Sequence, residues 1–128
     1  MIRVLVLIAM LPDFVMAYES KRAANNLAHE YAECAAFYTV SSTLFESQDP
    51  KLAERMNQSA INAMNYSQIL TSEKLTDARI EMAVKSIIRD LDNDIANVSI
   101  ILNKYSDRCV EAMTDPEARM DYWLKKQD

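Results

Sequence analysis

Apolar side chains recur along this chain at steps of three and four, which is the spacing of a helix face and not the alternation of a half-buried strand. Leu27, Tyr31, Cys34, Tyr38 and Phe45 fall on one stripe, flanked by Ala24, Ala28, Ala32, Ala35 and Ala36, whose small side chains let a neighbouring helix approach closely. The pattern breaks at 47–50, where Asp49 can cap free amides and Pro50 takes the first helical position, which needs no donor. A second helix then runs to about Leu70. Its stripe of Leu52, Met56, Ala60, Ala63, Met64, Ser67 and Leu70 is weaker and partly polar, as in a helix at the edge of a fold. The strongest repeat follows, with Ile80, Val84, Ile87, Leu91, Ile95, Val98, Leu102 and Tyr105 in step for about seven turns. It predicts one helix about 40 Å long. The same count reaches Cys109. Asp115-Pro116 repeats the Asp49-Pro50 device, with Thr114 and Glu117 at capping-box spacing, and opens a short last helix carrying Met120, Trp123 and Leu124. These elements predict an all-α fold, a three- or four-helix antiparallel bundle joined by short connections.

Composition narrows the chemistry. The 128 residues include no glycine, so a phosphate-cradling glycine loop is excluded, and with it the dinucleotide-binding and P-loop folds. The length suits a single domain.

The N-terminus carries the pattern of an export leader: Arg3, an apolar run from Val4 to Leu11, and Val15-Met16-Ala17 as a small-residue cleavage site. The expected division is a signal peptide over 1–17 and a helical-bundle domain over 18–128. The apolar run is shorter than the roughly 18–20 residues a spanning helix needs, so no stable membrane anchor is expected once the leader is removed. Residue 18 is tyrosine, which does not fit a lipoprotein. In an oxidising compartment two cysteines are expected to bond. Cys34 and Cys109 each sit on a core stripe and have only each other as partners, and the predicted address is periplasmic or secreted.

No complete catalytic or metal constellation is legible, so no enzyme, metal or cofactor is expected. His29-Glu30-Tyr31-Ala32-Glu33 looks like half of an HExxH zinc motif, but Glu33 stands where the second histidine would be and the chain has a single histidine. The expectation is a solvated face with a local His29–Glu33 contact. Ser41, Ser42 and Thr43 lie too far along their helix from His29 to form a triad with it; the serines read as small packing residues or as donors to carbonyls one turn earlier. Asp90, Asp92 and Asp94 with Asn93 and Asn97 resemble a calcium loop only superficially, lacking its glycine, and are expected to form a solvated helix face.

Fourteen basic against 19 acidic side chains give a net charge of −5, which opposes nucleic-acid binding. Asn57, Asn65 and Asn97 open N-x-Ser/Thr triplets inside predicted helices and read as incidental. Trp123 is expected to close one mouth of the bundle or, with Tyr122, to present an aromatic anchor; Trp123 and Tyr122 are the candidate partner-binding residues.

Glu33-Cys34-Ala35-Ala36-Phe37-Tyr38 after a short leader, then a late cysteine followed by Pro116-Glu117-Ala118-Arg119 and Tyr122-Trp123, resembles small uncharacterised exported proteins of proteobacteria and their phages. The resemblance implies a periplasmic address and a Cys34–Cys109 bridge, and carries no activity. By elimination, the expected function is that of a non-catalytic interaction module for a protein partner, such as an inhibitor, an immunity or exclusion factor, or an adaptor. The alternatives are a small-ligand carrier with a pocket inside the bundle, and a virion component that keeps its N-terminus.

Overall fold

The computed structural model describes residues 2–126, and side chains from residue 16 onward. The expected leader, 1–17, therefore falls almost wholly on side chains outside the described residues. The described residues form five α-helices: α1 (Ile2–Phe45), α2 (Pro50–Leu70), α3 (Glu73–Leu91), α4 (Val98–Thr114) and α5 (Pro116–Lys125). The fold is all-α as expected, with five helices rather than three or four.

Both Asp-Pro starts form as the chemistry requires. Asp49 Oδ1 accepts from the Leu52 amide at 3.1 Å, and Asp115 Oδ1 from the Ala118 amide at 3.0 Å. The cap of α5 is thus Asp115 and not Thr114, because the proline at 116 fixes the first helical residue. Ser72 caps α3 through the Leu75 amide.

The predicted long third helix is two. Asp92 and Asn93 adopt positive φ, 46° and 56°, ending α3 in the left-handed region. Asp and Asn enter that region more readily than other residues with a Cβ, which is how a chain without glycine stops a helix here. Asp94 then accepts from the Ala96 amide, a 3-10 turn spans Ile95–Asn97, and α4 begins. The expected acidic helix face is consequently a turn, and Ile95, expected in the core, is 65% exposed.

α1 is the central element and packs on each of the other four helices. Leu27, Tyr31, Cys34, Ala35, Ala36 and Phe37 meet Ala63 of α2, Ala83 and Ile87 of α3, and Ile101, Tyr105, Cys109 and Ala112 of α4. Ala28, Ala32, Ala35 and Ala36 are all buried, so the small side chains do allow close approach. Several buried polar groups on this interior pair across helices. Ser67 Oγ donates to the Ala28 carbonyl at 2.8 Å and lies 3.0 Å from Thr76 Oγ1, pinning α2 and α3 to α1. Tyr31 Oη donates to the Ala112 carbonyl at 2.8 Å, pinning α4. Ser42, expected either to pack closely or to bond one turn back, donates across to the Ala53 carbonyl of α2 at 2.8 Å. Cys34 and Cys109 are bonded, with Cα atoms 5.5 Å apart and both residues fully buried. Among the described residues no helix is long and apolar enough to cross a membrane.

Candidate functional site

α5 lies along α1, and surface openings flank it on either side. Asp115 and Pro116 set the register: Pro116, Glu117 and Met120 turn to one side, and Arg119, Tyr122 and Trp123 to the other, the division helical periodicity imposes.

On the first side is a cleft of about 330 Å³. Its floor is the buried Leu27 and Tyr31, its walls are the half-buried Leu70 and Met120, and its rim is Tyr66 and Ile69, the latter 80% exposed. The Tyr66 ring packs against Tyr31 with centroids 5.1 Å apart and the planes tilted by 43°. Burial, with Tyr66 and Glu30 adding to it, pushes the Tyr31 hydroxyl up to about 12, so it stays neutral and donates to Ala112.

The other side is polar. A cavity of about 230 Å³ is walled by His29, Glu30 and Glu33 of α1, Arg108 of α4 and the Arg119, Tyr122 and Trp123 face of α5, with Lys126 just past its end. A second cavity, about 190 Å³, shares His29 and Glu33 and opens toward Arg79 of α3 and Lys104 of α4. The two therefore adjoin along α1 as one groove.

The base of the groove is an ion-pair network. Arg119 Nε and Nη2 donate to the two carboxylate oxygens of Glu30 at 2.5 and 2.7 Å, both side chains being buried. Those hydrogen bonds hold the Arg119 guanidinium above its ordinary pKa despite its burial. Arg108 Nη2 donates to Glu33 at 3.2 Å and its Nη1 lies 3.8 Å from Glu30. His29 Nε2 stands 3.3 Å from Glu33, the local contact expected from the sequence. Arg119 also stacks on Tyr122 at 4.1 Å, and Lys126 lies over both the Tyr122 and Trp123 rings.

Tyr122 and Trp123, singled out from the sequence, thus lie side by side in one wall. Trp123 is half-buried against the core, and its carbonyl accepts from Arg22 Nη2 at 3.2 Å. The residues that organise the groove, Glu30, Arg108 and Arg119, were not foreseen. In the sequence Glu30 stands within an incomplete zinc motif, and the signal of its burial is its place between Leu27 and Tyr31, close to the buried stripe. Among the described residues no group of three metal-ligating side chains converges. The acidic residues around 90–94 do not join the groove, apart from Asp90, which pairs with Lys104 at 3.4 Å.

Compared with known proteins, the chain matches no family model, no curated protein and no solved structure.

Proposed function

We propose that this chain is a non-catalytic, exported interaction module, periplasmic or secreted, that holds a protein partner across α5. The observation that supports this most is the apolar cleft. Single exposed apolar residues are ordinary, but here Ile69 and Tyr66 rim a recess whose floor is core, so a partner side chain entering it would exchange water for carbon on all sides. The Tyr31 hydroxyl beneath is already spent on Ala112, which favours a binding surface over a polar ligand pocket inside the bundle. The buried disulfide supports an oxidising address. Among the described side chains of α1, Met16, Ala17 and Tyr18 are exposed and the first buried one is Ala23, in keeping with a leader ending at Ala17.

The test is a photo-crosslinking residue placed at Ile69 and, as control, at the exposed Lys51. We expect a discrete protein adduct at 69 only. The captured protein, purified, should bind the native chain and lose about tenfold or more in affinity to Ile69→Asp. Equal adducts at both positions, or an apolar small molecule in the cleft and no protein, would contradict the proposal; the latter would favour the carrier.

A further inference from the structure

We infer that the groove on the polar side of α5 is a receptor for an acidic peptide segment, so that the partner proposed above approaches α5 with carboxylates on one flank. This rests on the interaction-module reading and names the chemistry of the partner.

The charge distribution carries the inference. The chain is acidic, yet Arg79, Lys104, Arg108, Arg119 and Lys126, five of its 14 basic side chains, line the two adjoining cavities. Among the described acidic side chains Asp90 and Glu111 reach Lys104 at 3.4 Å and Arg119 at 3.7 Å from outside the lining, and the lining itself holds Glu30 and Glu33. These two are committed, Glu30 to Arg119 and Glu33 to Arg108 and His29. Positive charge is therefore left over. The Arg79 Nη2 donates to a neutral group, Asn25 Oδ1, at 2.8 Å, and Lys126 has the Tyr122 hydroxyl at 3.2 Å and two aromatic rings. Neither has a carboxylate within ion-pairing distance among the described residues.

The donor count agrees with the charge. Among the described residues the buried side-chain polar atoms without a hydrogen-bond partner are Arg79 Nη1 and Trp123 Nε1. Both are N–H donors, and they belong to the linings of the two halves of the groove. Leaving such groups unpaired is costly, and what each of these two lacks is an acceptor. Carboxylates supplied by a partner are acceptor-only groups that match Arg and Lys forks. The groove runs past several cations on α3, α4 and α5, which suits a segment bearing several carboxylates better than one small anion. The net charge of −5 does not oppose this, since fields from distant exposed charges are screened over about 10 Å at ordinary ionic strength.

Trp123 is the chain's single tryptophan, so its emission reports occupancy of the groove directly. The experiment titrates the oxidised full chain with labelled hexaglutamate, hexalysine and octathymidylate, reading anisotropy and Trp123 emission together, with citrate and inorganic phosphate as competitors. Hexaglutamate is expected to bind and shift the emission, and to weaken as salt is raised from about 0.05 to about 0.3 M. Hexalysine is expected not to bind. Lys126→Glu and Lys104→Glu, both at exposed positions, should each weaken hexaglutamate several-fold, and the pair about tenfold or more; unchanged helical circular dichroism shows that they fold. Citrate and phosphate should displace it only at concentrations far above its Kd. Displacement at equal concentration would make the groove a free-anion site, and tighter binding of octathymidylate a nucleic-acid site; either overturns the inference, as does hexaglutamate binding that ignores both charge reversals. Ile69→Asp separates the two proposals. It should leave hexaglutamate binding unchanged while abolishing partner capture; if partner capture also survives it, the cleft reading fails and the groove stands.

Discussion

Arg119 grips Glu30 through two parallel hydrogen bonds across a sequence separation of 89 residues, and the pair is buried where α5 meets α1. Such a pair adds little net stability over a well-packed apolar pair, because desolvation offsets attraction, but it fixes how α5 seats and which side chains face the groove. Removing one partner leaves a buried charge alone. Arg119→Met should therefore cost about 3–5 kcal/mol in denaturant unfolding, and Glu30→Leu added to it should recover most of that loss. A single-variant cost within the range of surface substitutions would show that the pair is not buried in solution.

The Cys34–Cys109 bond closes a loop across a separation of 75 residues and ties α1 to α4 inside the core. Its replacement by Cys34→Ala with Cys109→Ala should cost about 2–5 kcal/mol. Thermal melting should fall by roughly 10 °C or more. Because both sulfurs are buried, the native bond should also resist mild reductant until the fold opens, which thiol labelling against time can follow.

The turn at Asp92-Asn93 rests on two residues held at positive φ. Asn93→Val should destabilise by about 1–2 kcal/mol, since a β-branched side chain is poorly tolerated there. Asn93→Gly should be tolerated without comparable loss. If valine costs no more than glycine in equilibrium unfolding, α3 and α4 are joined differently.

Tyr31 supplies a pH signature. Its folded pKa, about 12, lies above the ordinary 10.0, so the native state holds the proton more tightly than the unfolded chain. The associated stability is present below pH 10.0 and is lost as pH rises toward about 12. Tyr31→Phe should flatten that alkaline limb relative to the native chain, and below it should lower stability by about 1 kcal/mol through the lost bond to Ala112. A limb of the same steepness in the variant would place the titrating group elsewhere, the half-buried Tyr38 being another phenol raised by desolvation.

The Asp-Pro helix starts, the alanine-flanked stripe of α1 and the pairing of the cysteines were legible because each follows from local chemistry or from having a single partner. The break after Leu91 was not. Asp92, Asn93 and Asp94 look alike on a wet helix face and in a turn, and the apolar count happened to stay in step across the interruption, from Leu91 to Val98. The groove was hidden for a different reason. A buried glutamate and the arginine that neutralises it lie on α1 and α5, 89 residues apart, and although Glu30 falls close to the buried stripe, its partner is visible only in the folded contact.

Everything proposed about address and partner depends on the Cys34–Cys109 bond being made in the cell. Intact-mass and N-terminal analysis of the chain isolated without reductant from its native source tests this most directly. The predicted species begins at Tyr18 and is lighter by two hydrogens than its fully reduced form, with no thiol open to alkylation under denaturing conditions. A chain that keeps Met1 and carries two alkylatable thiols would contradict both the exported address and the stapled interior.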